Sequence, residues 1–305
     1  MTTCTSELPK ERQLLEDHLS LFRPELSSWS WTDLFAWSDF FEYGFEMIDG
    51  HLCVFASDEA GCFMYLPPLG PDPSADLFRK CFTRMESRNG PGGVTRVENI
   101  PGSYPGLDRI VSSPGLRLTE KTREYIYYRD DLCRLKGNAY KSCRAAVNQF
   151  VKNTEFIYRP YEPRMYDECL SLYRRWARER KASCDEEMYR YMLDDNERVH
   201  ARLLRHAAEL GLTGRTILID GEIRAYTFGF ALTRDVFCVL LEIADLSVKG
   251  LAACTFREFC DDPAVRPYSF INAMDDYGLP ALTGTKMSYR PVMLAPSYIL
   301  TGESV

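Results

Sequence analysis

An acidic residue interrupts one of the long apolar runs of the chain. Glu242 lies within Phe237–Ala244, a run typical of a buried β-strand, and Asp245 follows it. A carboxyl group that is partly buried at the end of a central strand has a raised pKa, and it can accept a proton when an amine attacks an ester or thioester. Glu242 and Asp245 are therefore candidate general bases. The alternative is a carboxylate that pairs with a neighbouring Arg or Lys.

The segment after this strand could bind an anion. Ser247, Lys249, Gly250 and Ala252 lie between the predicted strand and a predicted helix. The N-terminus of a helix offers unpaired backbone N–H groups and a partial positive charge, and a glycine lets the backbone approach a ligand closely. We expect this loop to hold an anionic group of a substrate, with Lys249 adding charge. A plain strand-to-helix turn is the alternative.

An acidic pair follows the predicted strand Ser269–Ala273. Asp275 and Asp276 could orient a substrate ammonium group, or they could cap a helix that begins near Gly278. Both interpretations stay open from the sequence. We predict no metal at this pair, because no histidine lies nearby.

A third polar cluster lies near the C-terminus, in a segment that we interpret as a strand. Tyr289 could protonate a leaving group, and Lys286 or Arg290 could stabilise negative charge that develops during a reaction. The alternative is an exposed strand whose charges are solvated.

The segment Leu132–Thr154 is basic, although the whole chain carries a net charge of −7. It contains no acidic residue, and its cations are Arg134, Lys136, Lys141, Arg144 and Lys152. We interpret it as one helix that could bind nucleic-acid phosphates with little sequence preference. The alternative is the solvated face of a helix that connects two domains.

The composition favours a globular protein. The chain contains 17 Phe, 18 Tyr and 4 Trp, more aromatic residues than a disordered chain carries. No apolar run approaches the ~20 residues that span a bilayer, and the N-terminus lacks the pattern of a signal peptide, so we expect a cytoplasmic location. The eleven cysteines show no Cys-x-x-Cys spacing. We therefore expect buried free thiols, no metal and no tightly bound cofactor.

Two similar stretches suggest an internal duplication. Ile48-Asp49-Gly50 and Ile219-Asp220-Gly221 each predict a β-hairpin, at an offset of about 171 residues. Helical sequence precedes each hairpin, and strand, helix and strand sequence follows it. We predict an N-terminal domain over 1–115, a bridging strand and basic helix over 116–154, and a C-terminal domain with the active cleft over 155–305. Chance similarity between two α/β units is the alternative.

The element order of each half is that of the GNAT acyltransferase fold. We therefore predict an α+β or α/β protein with two tandem GNAT-like domains, whose mixed sheets are flanked by helices. In GNAT enzymes the loop that cradles the donor pyrophosphate begins with Gln or Arg, where this chain has Ser247. The GNAT fold also places a proton-donating Tyr on its last strand, a role that Tyr289 could take.

Three stretches of the chain resemble the C-terminal domain family of phosphatidylglycerol lysyltransferases. They are Ser30-Trp31-Thr32-Asp33-Leu34-Phe35-Ala36-Trp37, Tyr125-Ile126-Tyr127-Tyr128-Arg129-Asp130-Asp131-Leu132, and Ile271-Asn272-Ala273-Met274-Asp275-Asp276-Tyr277-Gly278-Leu279 with Lys286-Met287-Ser288-Tyr289-Arg290-Pro291. They follow the family's order and span most of the chain. The resemblance implies an aminoacyltransferase whose donor is a charged tRNA and whose acceptor is an amine or a hydroxyl.

The donor and the acceptor stay open. Coenzyme A and aminoacyl-tRNA are both candidate co-substrates, and the basic segment would bind the tRNA. The best-known members of the family also carry a membrane-embedded portion that this sequence lacks, so the acceptor is either a lipid or a small molecule. A catalytically degenerate binding module is the alternative to an enzyme.

Overall fold

The computed structural model describes residues 8–90, 93–183 and 186–302. The chain folds as two units, the first comprising residues 1–124 and 294–305 and the second residues 125–293. The chain's last strand thus packs in the first unit, which differs from the prediction of one C-terminal domain over 155–305.

Ten helices and eleven strands make up the described part of the chain. Up to residue 128 they are α1 (Leu8–Leu19), α2 (Trp31–Trp37), β1 (Glu42–Ile48), β2 (His51–Asp58), β3 (Gly61–Leu69), α3 (Ala75–Asn89), β4 (Arg96–Pro101), α4 (Leu107–Val111) and β5 (Leu116–Tyr128). From residue 129 they are α5 (Arg129–Arg134), α6 (Lys141–Asn153), β6 (Ile157–Pro160), α7 (Tyr166–Ala182), α8 (Glu187–Arg205), β7 (Thr213–Ile219), β8 (Glu222–Ala231), β9 (Val236–Ala244), α9 (Leu251–Cys260), β10 (Phe270–Asn272), α10 (Pro280–Ser288) and β11 (Met293–Gly302). Over these residues, no helix is both long and apolar enough to cross a bilayer.

The first unit is built on a mixed sheet in the order β1–β2–β3–β4–β11–β5. Serine side chains cap the N-termini of two of its helices. Ser30 accepts a hydrogen bond from the backbone N–H of Asp33 in α2, and Ser74 accepts one from the backbone N–H of Leu77 in α3. Strands β3 and β4 run parallel and pair only at Met64 and Val97.

An asparagine on β4 hydrogen-bonds to β3 in the first unit. Asn99 adopts a left-handed backbone conformation, with φ +54°, and its Nδ2 donates to the carbonyl oxygen of Tyr65 at 2.9 Å. Its Oδ1 accepts from Lys121 Nζ at 2.9 Å, and its backbone oxygen accepts from Trp29 Nε1 at 2.7 Å. The side chain therefore bridges the two strands.

The second unit repeats this order of elements. Its sheet runs β5–β10–β9–β8–β7–β6, with antiparallel pairs except for parallel β9 and β10. Three antiparallel strands, one helix and one parallel strand form the centre of both units: β1–β2–β3–α3–β4 in the first, and β7–β8–β9–α9–β10 in the second. The duplication predicted from the sequence is therefore visible in the fold.

The two hairpin turns share the same backbone geometry. Asp49 and Gly50 have φ of +48° and +78°, and Asp220 and Gly221 have φ of +52° and +81°. Two consecutive left-handed residues form the type I′ turn that matches the twist of a hairpin. The Asp-Gly pairs therefore set the register of β1 against β2 and of β7 against β8.

The basic segment forms two helices instead of the single helix predicted over Leu132–Thr154. Helix α5 ends where Leu135 adopts φ +45°, and Gly137 follows with φ +84°. A continuous helix cannot contain these left-handed residues. Helix α6 then packs Cys143, Val147 and Phe150 inward.

Nine cysteines of the described residues are free thiols, and eight of these are buried. Cys4 and Cys184 lie outside the described residues.

A close approach of β8 and β9 explains a glycine at the centre of the second unit. A Cβ on Gly229 would lie 2.3 Å from the carbonyl oxygen of Cys238 and 2.4 Å from the Phe237 ring. The substitution Gly229→Ala should therefore lower the free energy of unfolding by about 1–3 kcal/mol, because backbone atoms must move. Thermal denaturation measures the change.

The control substitution is Gly284→Ala in α10, where a Cβ would meet no atom within 4 Å. Alanine favours a helix by about 0.5–1 kcal/mol over glycine, so this variant should melt at the wild-type temperature or above it. Equal melting temperatures for the two variants would contradict the close approach.

Candidate active site

The candidate site of the second unit lies on β9, beyond the point where its parallel neighbour ends. Strand β10 pairs with β9 only over Val236–Cys238. A bulge between Val239 and Leu241 then shifts the register of β9 against β8. Glu242 follows this bulge, directly opposite Thr227 on β8. Directly opposed residues point to the same face of a sheet, so the two side chains share one face of the open strand edge.

Two polar atoms at this edge are buried without a hydrogen-bond partner. Glu242 is half-buried as a residue, but its Oε2 is shielded from solvent and unpaired, and so is Oγ1 of the buried Thr227. Buried polar atoms in folded proteins almost always have partners, so an unpaired pair on facing strands needs an explanation. A substrate group that completes both bonds is such an explanation.

Burial and nearby charge set the protonation of Glu242. Burial raises the pKa of Glu242 to about 8, and the positive charge of Lys286 opposes this rise. Burial also raises the pKa of Tyr289, and the charge of Glu242 raises it further. The structure thus brings Glu242 together with Lys286 and Tyr289, which lie far from it along the chain.

Lys286 is a fixed charge. Its Nζ donates to the carbonyl oxygens of Ala273 at 2.5 Å and Met274 at 3.3 Å, and also to that of Asp275. The hydroxyl of Tyr127 donates to the backbone oxygen of Lys286 at 3.0 Å. These bonds use the three protons of the ammonium group, so its charge acts on the site through the electric field.

Tyr289 lies at the C-terminal end of α10, and the prediction that it stands on a strand is wrong. The segment turns there because Arg290 adopts φ +56°. The Tyr289 ring packs edge-on against Phe256 of α9, with centroids 5.0 Å apart. It also packs against a buried cluster of α5–α6 residues, namely Leu135, Tyr140, Cys143 and Val147. Packing fixes the ring, and no described residue hydrogen-bonds the Tyr289 hydroxyl.

The acidic pair serves the turn into α10. Asp276 accepts the Tyr125 hydroxyl at 2.5 Å, the Thr283 hydroxyl, and the backbone N–H of Gly278 at 3.0 Å. Burial alone would raise the pKa of Asp276, but the hydrogen bonds from Thr283 and Tyr125 lower it below its usual value. The carboxylate of Asp276 therefore holds the turn, and Asp275 contributes its carbonyl oxygen to the Lys286 ammonium.

Asp245 holds the loop after β9. Its Oδ1 accepts the backbone N–H of Ser247 at 3.0 Å and the Ser247 hydroxyl at 2.6 Å. Its Oδ2 accepts Arg224 Nη1 at 2.8 Å and Arg175 Nη2 at 3.4 Å. Burial opposes ionisation, yet these bonds hold the pKa of Asp245 below its usual value. An ionised, fully paired carboxylate suits a structural role, whereas the unpaired Glu242 suits proton transfer.

Helix α6 lies against the loop that the sequence suggests for anion binding. Gly250 has φ +82°, and a Cβ there would lie 2.4 Å from the carbonyl oxygen of Ala146 and 3.0 Å from Cβ of Phe150. The chain itself uses the N–H of Val248, which donates to Asp245, and that of Leu251, which donates to Val248. The side chains of the three remaining loop residues, Ser247, Lys249 and Ala252, are exposed.

The basic residues of the sequence divide into two groups. Arg134 pairs with Asp130 at 2.9 Å, and Arg144 Nη1 donates to the carbonyl oxygens of Leu135 and of Gly137, the latter at 3.0 Å. Arg144 thereby ties the segment between α5 and α6 to its own helix. Lys136 and Lys141 are exposed.

Sequence reasoning missed Thr227 as a site residue. The pairing of β8 with β9 identifies it, since Thr227 is the residue that faces Glu242. That register depends on the bulge in β9, and the Asp220-Gly221 turn, which joins β7 to β8, does not set it. Threonine is common in strands, so without that register nothing distinguishes it from its neighbours.

Comparison with known proteins shows the family of the chain. The family model described as phosphatidylglycerol lysyltransferase, C-terminal, matches residues 20–301. The chain belongs to this family. The resemblance inferred from the three sequence stretches is therefore confirmed. No curated protein sequence matches the chain.

Solved structures agree with the family. A conserved protein of unknown function from Bacteroides thetaiotaomicron is 24% identical, with 96% of this chain and 97% of that chain covered and a TM-score of 0.83. L-PGS from Bacillus licheniformis is 15% identical, with coverage of 96% and 92% and a TM-score of 0.66. A tandem GNAT protein from the clavulanic acid biosynthesis pathway is 8% identical, with coverage of 100% and 98% and a TM-score of 0.53. These likenesses confirm the predicted fold of two tandem GNAT-like domains with mixed sheets flanked by helices.

The raised pKa of Glu242 makes stability depend on pH. Between about pH 4.5 and pH 8 the unfolded chain loses the Glu242 proton while the folded chain retains it. The stabilisation present at low pH is therefore lost as the pH rises through this window. Glu242→Gln removes this dependence, so from pH 5 to pH 9 the variant should gain on the order of 4 kcal/mol relative to wild type.

Denaturant unfolding at both pH values measures this gain. Glu155→Gln, at an exposed position of the same unit, is the matched control. A stability difference between Glu242→Gln and wild type that stays constant with pH would contradict a buried, protonated Glu242.

Proposed function

We propose that the second unit transfers an aminoacyl group from an aminoacyl-tRNA to a hydroxyl or amine acceptor. The observation that carries this proposal is the unpaired, buried Oε2 of Glu242, which lies at the open edge of β9 with a pKa of about 8. A base with a pKa near the working pH is the most effective one for proton transfer.

Glu242 acts as the general base. Its carboxylate takes the proton of the acceptor O–H or N–H while the acceptor oxygen or nitrogen attacks the ester carbonyl carbon of the aminoacyl group. The Thr227 hydroxyl, which faces Glu242, hydrogen-bonds the attacking group and orients it. Attack gives a tetrahedral intermediate whose former carbonyl oxygen carries a negative charge.

Tyr289 acts as the general acid. Collapse of the intermediate breaks the bond to the ribose oxygen of the tRNA, and the Tyr289 hydroxyl gives that oxygen a proton. Glu242 then returns a proton to Tyr289, so the enzyme regains its starting state. The fixed Lys286 ammonium favours the negative charge of the intermediate through its field, without giving up a proton.

The loop after β9 favours aminoacyl-tRNA over coenzyme A as the donor. A pyrophosphate cradled at the N-terminus of α9 would need free backbone N–H groups, and the chain itself uses those of Ser247, Val248 and Leu251. The Ala146 carbonyl oxygen, which carries partial negative charge, lies against Gly250. An anion is repelled at this position.

The acceptor belongs to the same proposal. We place the reaction in the cytoplasm, where charged tRNA is present, with a lipid head group or a small molecule as the acceptor. The acceptor needs only one accessible hydroxyl or amine group that can reach Glu242 and Thr227.

Replacing the base tests the mechanism. Glu242→Gln should lower turnover by about 10²–10⁴-fold, because the amide cannot accept the proton, while the circular dichroism spectrum stays that of wild type. Wild-type turnover should rise with pH up to about 8, as the carboxyl ionises. Transfer of a radiolabelled aminoacyl group measures both effects. Glu155→Gln is the control, and equal turnover of Glu242→Gln and wild type removes Glu242 from the mechanism.

Ligand-induced stabilisation tests the donor. A non-hydrolysable aminoacyl-tRNA analogue should raise the melting temperature in low salt, whereas acetyl-CoA at millimolar concentration should leave it unchanged. Stabilisation by acetyl-CoA alone would assign coenzyme A as the donor. Stabilisation by neither, together with no transfer, would identify the chain as a binding module without catalysis.

A further inference from the structure

Four lysines of the second unit carry unpaired charge. Lys136, Lys141, Lys152 and Lys249 are exposed, and no acidic residue of the described chain pairs with any of them. We call these four residues the lysine surface. In a chain of net charge −7, cations without acidic partners stand out as candidates for contact with a polyanion.

Two of the four lysines lie on helix α6, and the other two lie beside it. Lys141 and Lys152 lie on its exposed face with Asn148 between them, at positions i, i+7 and i+11 of one helical stripe. They are separated by about 16 Å along the helix axis, which matches several phosphates of a nucleic-acid strand. Arg144 ties the segment of Lys136 to the start of this helix through the Leu135 and Gly137 carbonyls.

The lysine surface continues onto the loop after β9. The Ala146 carbonyl oxygen lies against Gly250, so the residue before Gly250, Lys249, stands beside α6. Two of the four basic residues expected from the sequence do not join the surface. Arg134 is paired with Asp130, and Arg144 donates to backbone carbonyls.

The uncharged residues of the same face favour a nucleic acid over a lipid surface. Ser142, Asn148 and Gln149 are exposed on α6, and hydroxyl and amide groups of this kind bind phosphate and sugar oxygens. A helix that lies in a membrane interface presents a face of large apolar residues, and the exposed face of α6 offers only Val151.

We propose that the lysine surface binds the acceptor stem of the donor RNA, an inference that rests on the proposed function. The opposite face of α6 contributes Cys143 and Val147 to the cluster that holds Tyr289. One helix therefore contacts the RNA on its outer face and a catalytic residue on its inner face. Phosphate contacts position the RNA without reading its sequence, so discrimination between tRNAs lies elsewhere.

The test compares two triple variants of the full chain. Lys136, Lys141 and Lys152 are replaced by Gln in the first, and Arg190, Arg234 and Arg266, exposed cations on other elements of the same unit, in the second. Binding of uncharged tRNA is measured by fluorescence anisotropy at several salt concentrations. The lysine variant should bind at least ten-fold more weakly near 0.1 M salt, and its slope of log affinity against log salt should fall by about 2–3. The arginine variant should resemble wild type.

Equal losses in both variants, or wild-type affinity in the lysine variant, overturn the proposal. Vesicles of phosphatidylglycerol form a second arm. If the lysine variant loses vesicle binding and keeps tRNA binding, the surface is a lipid surface and the proposal fails.

A short donor separates this proposal from the proposed function. An aminoacylated CCA trinucleotide carries the reactive ester and lacks the acceptor stem. In the lysine variant, the loss of kcat/KM with charged tRNA should exceed the loss with the trinucleotide at least ten-fold. If wild type transfers from neither donor, the proposed function fails, and the binding measurements alone decide the lysine surface.

Discussion

The separation of β9 from β10 after Cys238 is the constraint on which the rest of the second unit depends. A strand that loses one neighbour exposes an edge, and most proteins cover such an edge with paired or charged groups. Here the edge carries Glu242, whose carboxyl oxygen is shielded from water and unpaired. An unpaired buried oxygen lowers stability, and neighbouring elements offset the loss. Helix α10 contributes the charge of Lys286, and α9 contributes the packing that fixes Tyr289.

Two carboxylates three residues apart illustrate how local surroundings divide roles. Asp245 receives bonds from Ser247, Arg224 and Arg175, which keep it ionised and make it a fixed part of the loop. Glu242 receives no bond at Oε2, so burial dominates and keeps its pKa raised. The chemical type of the two side chains is the same, so the difference arises entirely from their hydrogen bonds and burial.

The sequence predicts those features that depend on short-range patterns. The Asp-Gly turns, the interruption of an apolar strand by Glu242 and the glycine at position 250 are all local signals, and the structure contains each of them. Features that depend on distant partners escape prediction. The pairing of Asp245 with Arg175 joins residues 70 positions apart. The turn after α10 and the break between α5 and α6 contain left-handed residues other than glycine, Arg290 and Leu135, whose conformation no propensity indicates.

An amide connects the two parallel strands of the first copy of the duplicated fold. In the first unit Asn99 spans the separated strands and satisfies the Tyr65 carbonyl, so the gap is filled from within. In the second unit Glu242 lies beyond the last paired residue of the two parallel strands, and its Oε2 is buried and unpaired. The two copies share an order of elements, and the polar groups beside their parallel strands differ. Under the proposed function, selection on chemistry acts on the second unit, and the first unit can diverge in sequence as long as its strands remain bridged.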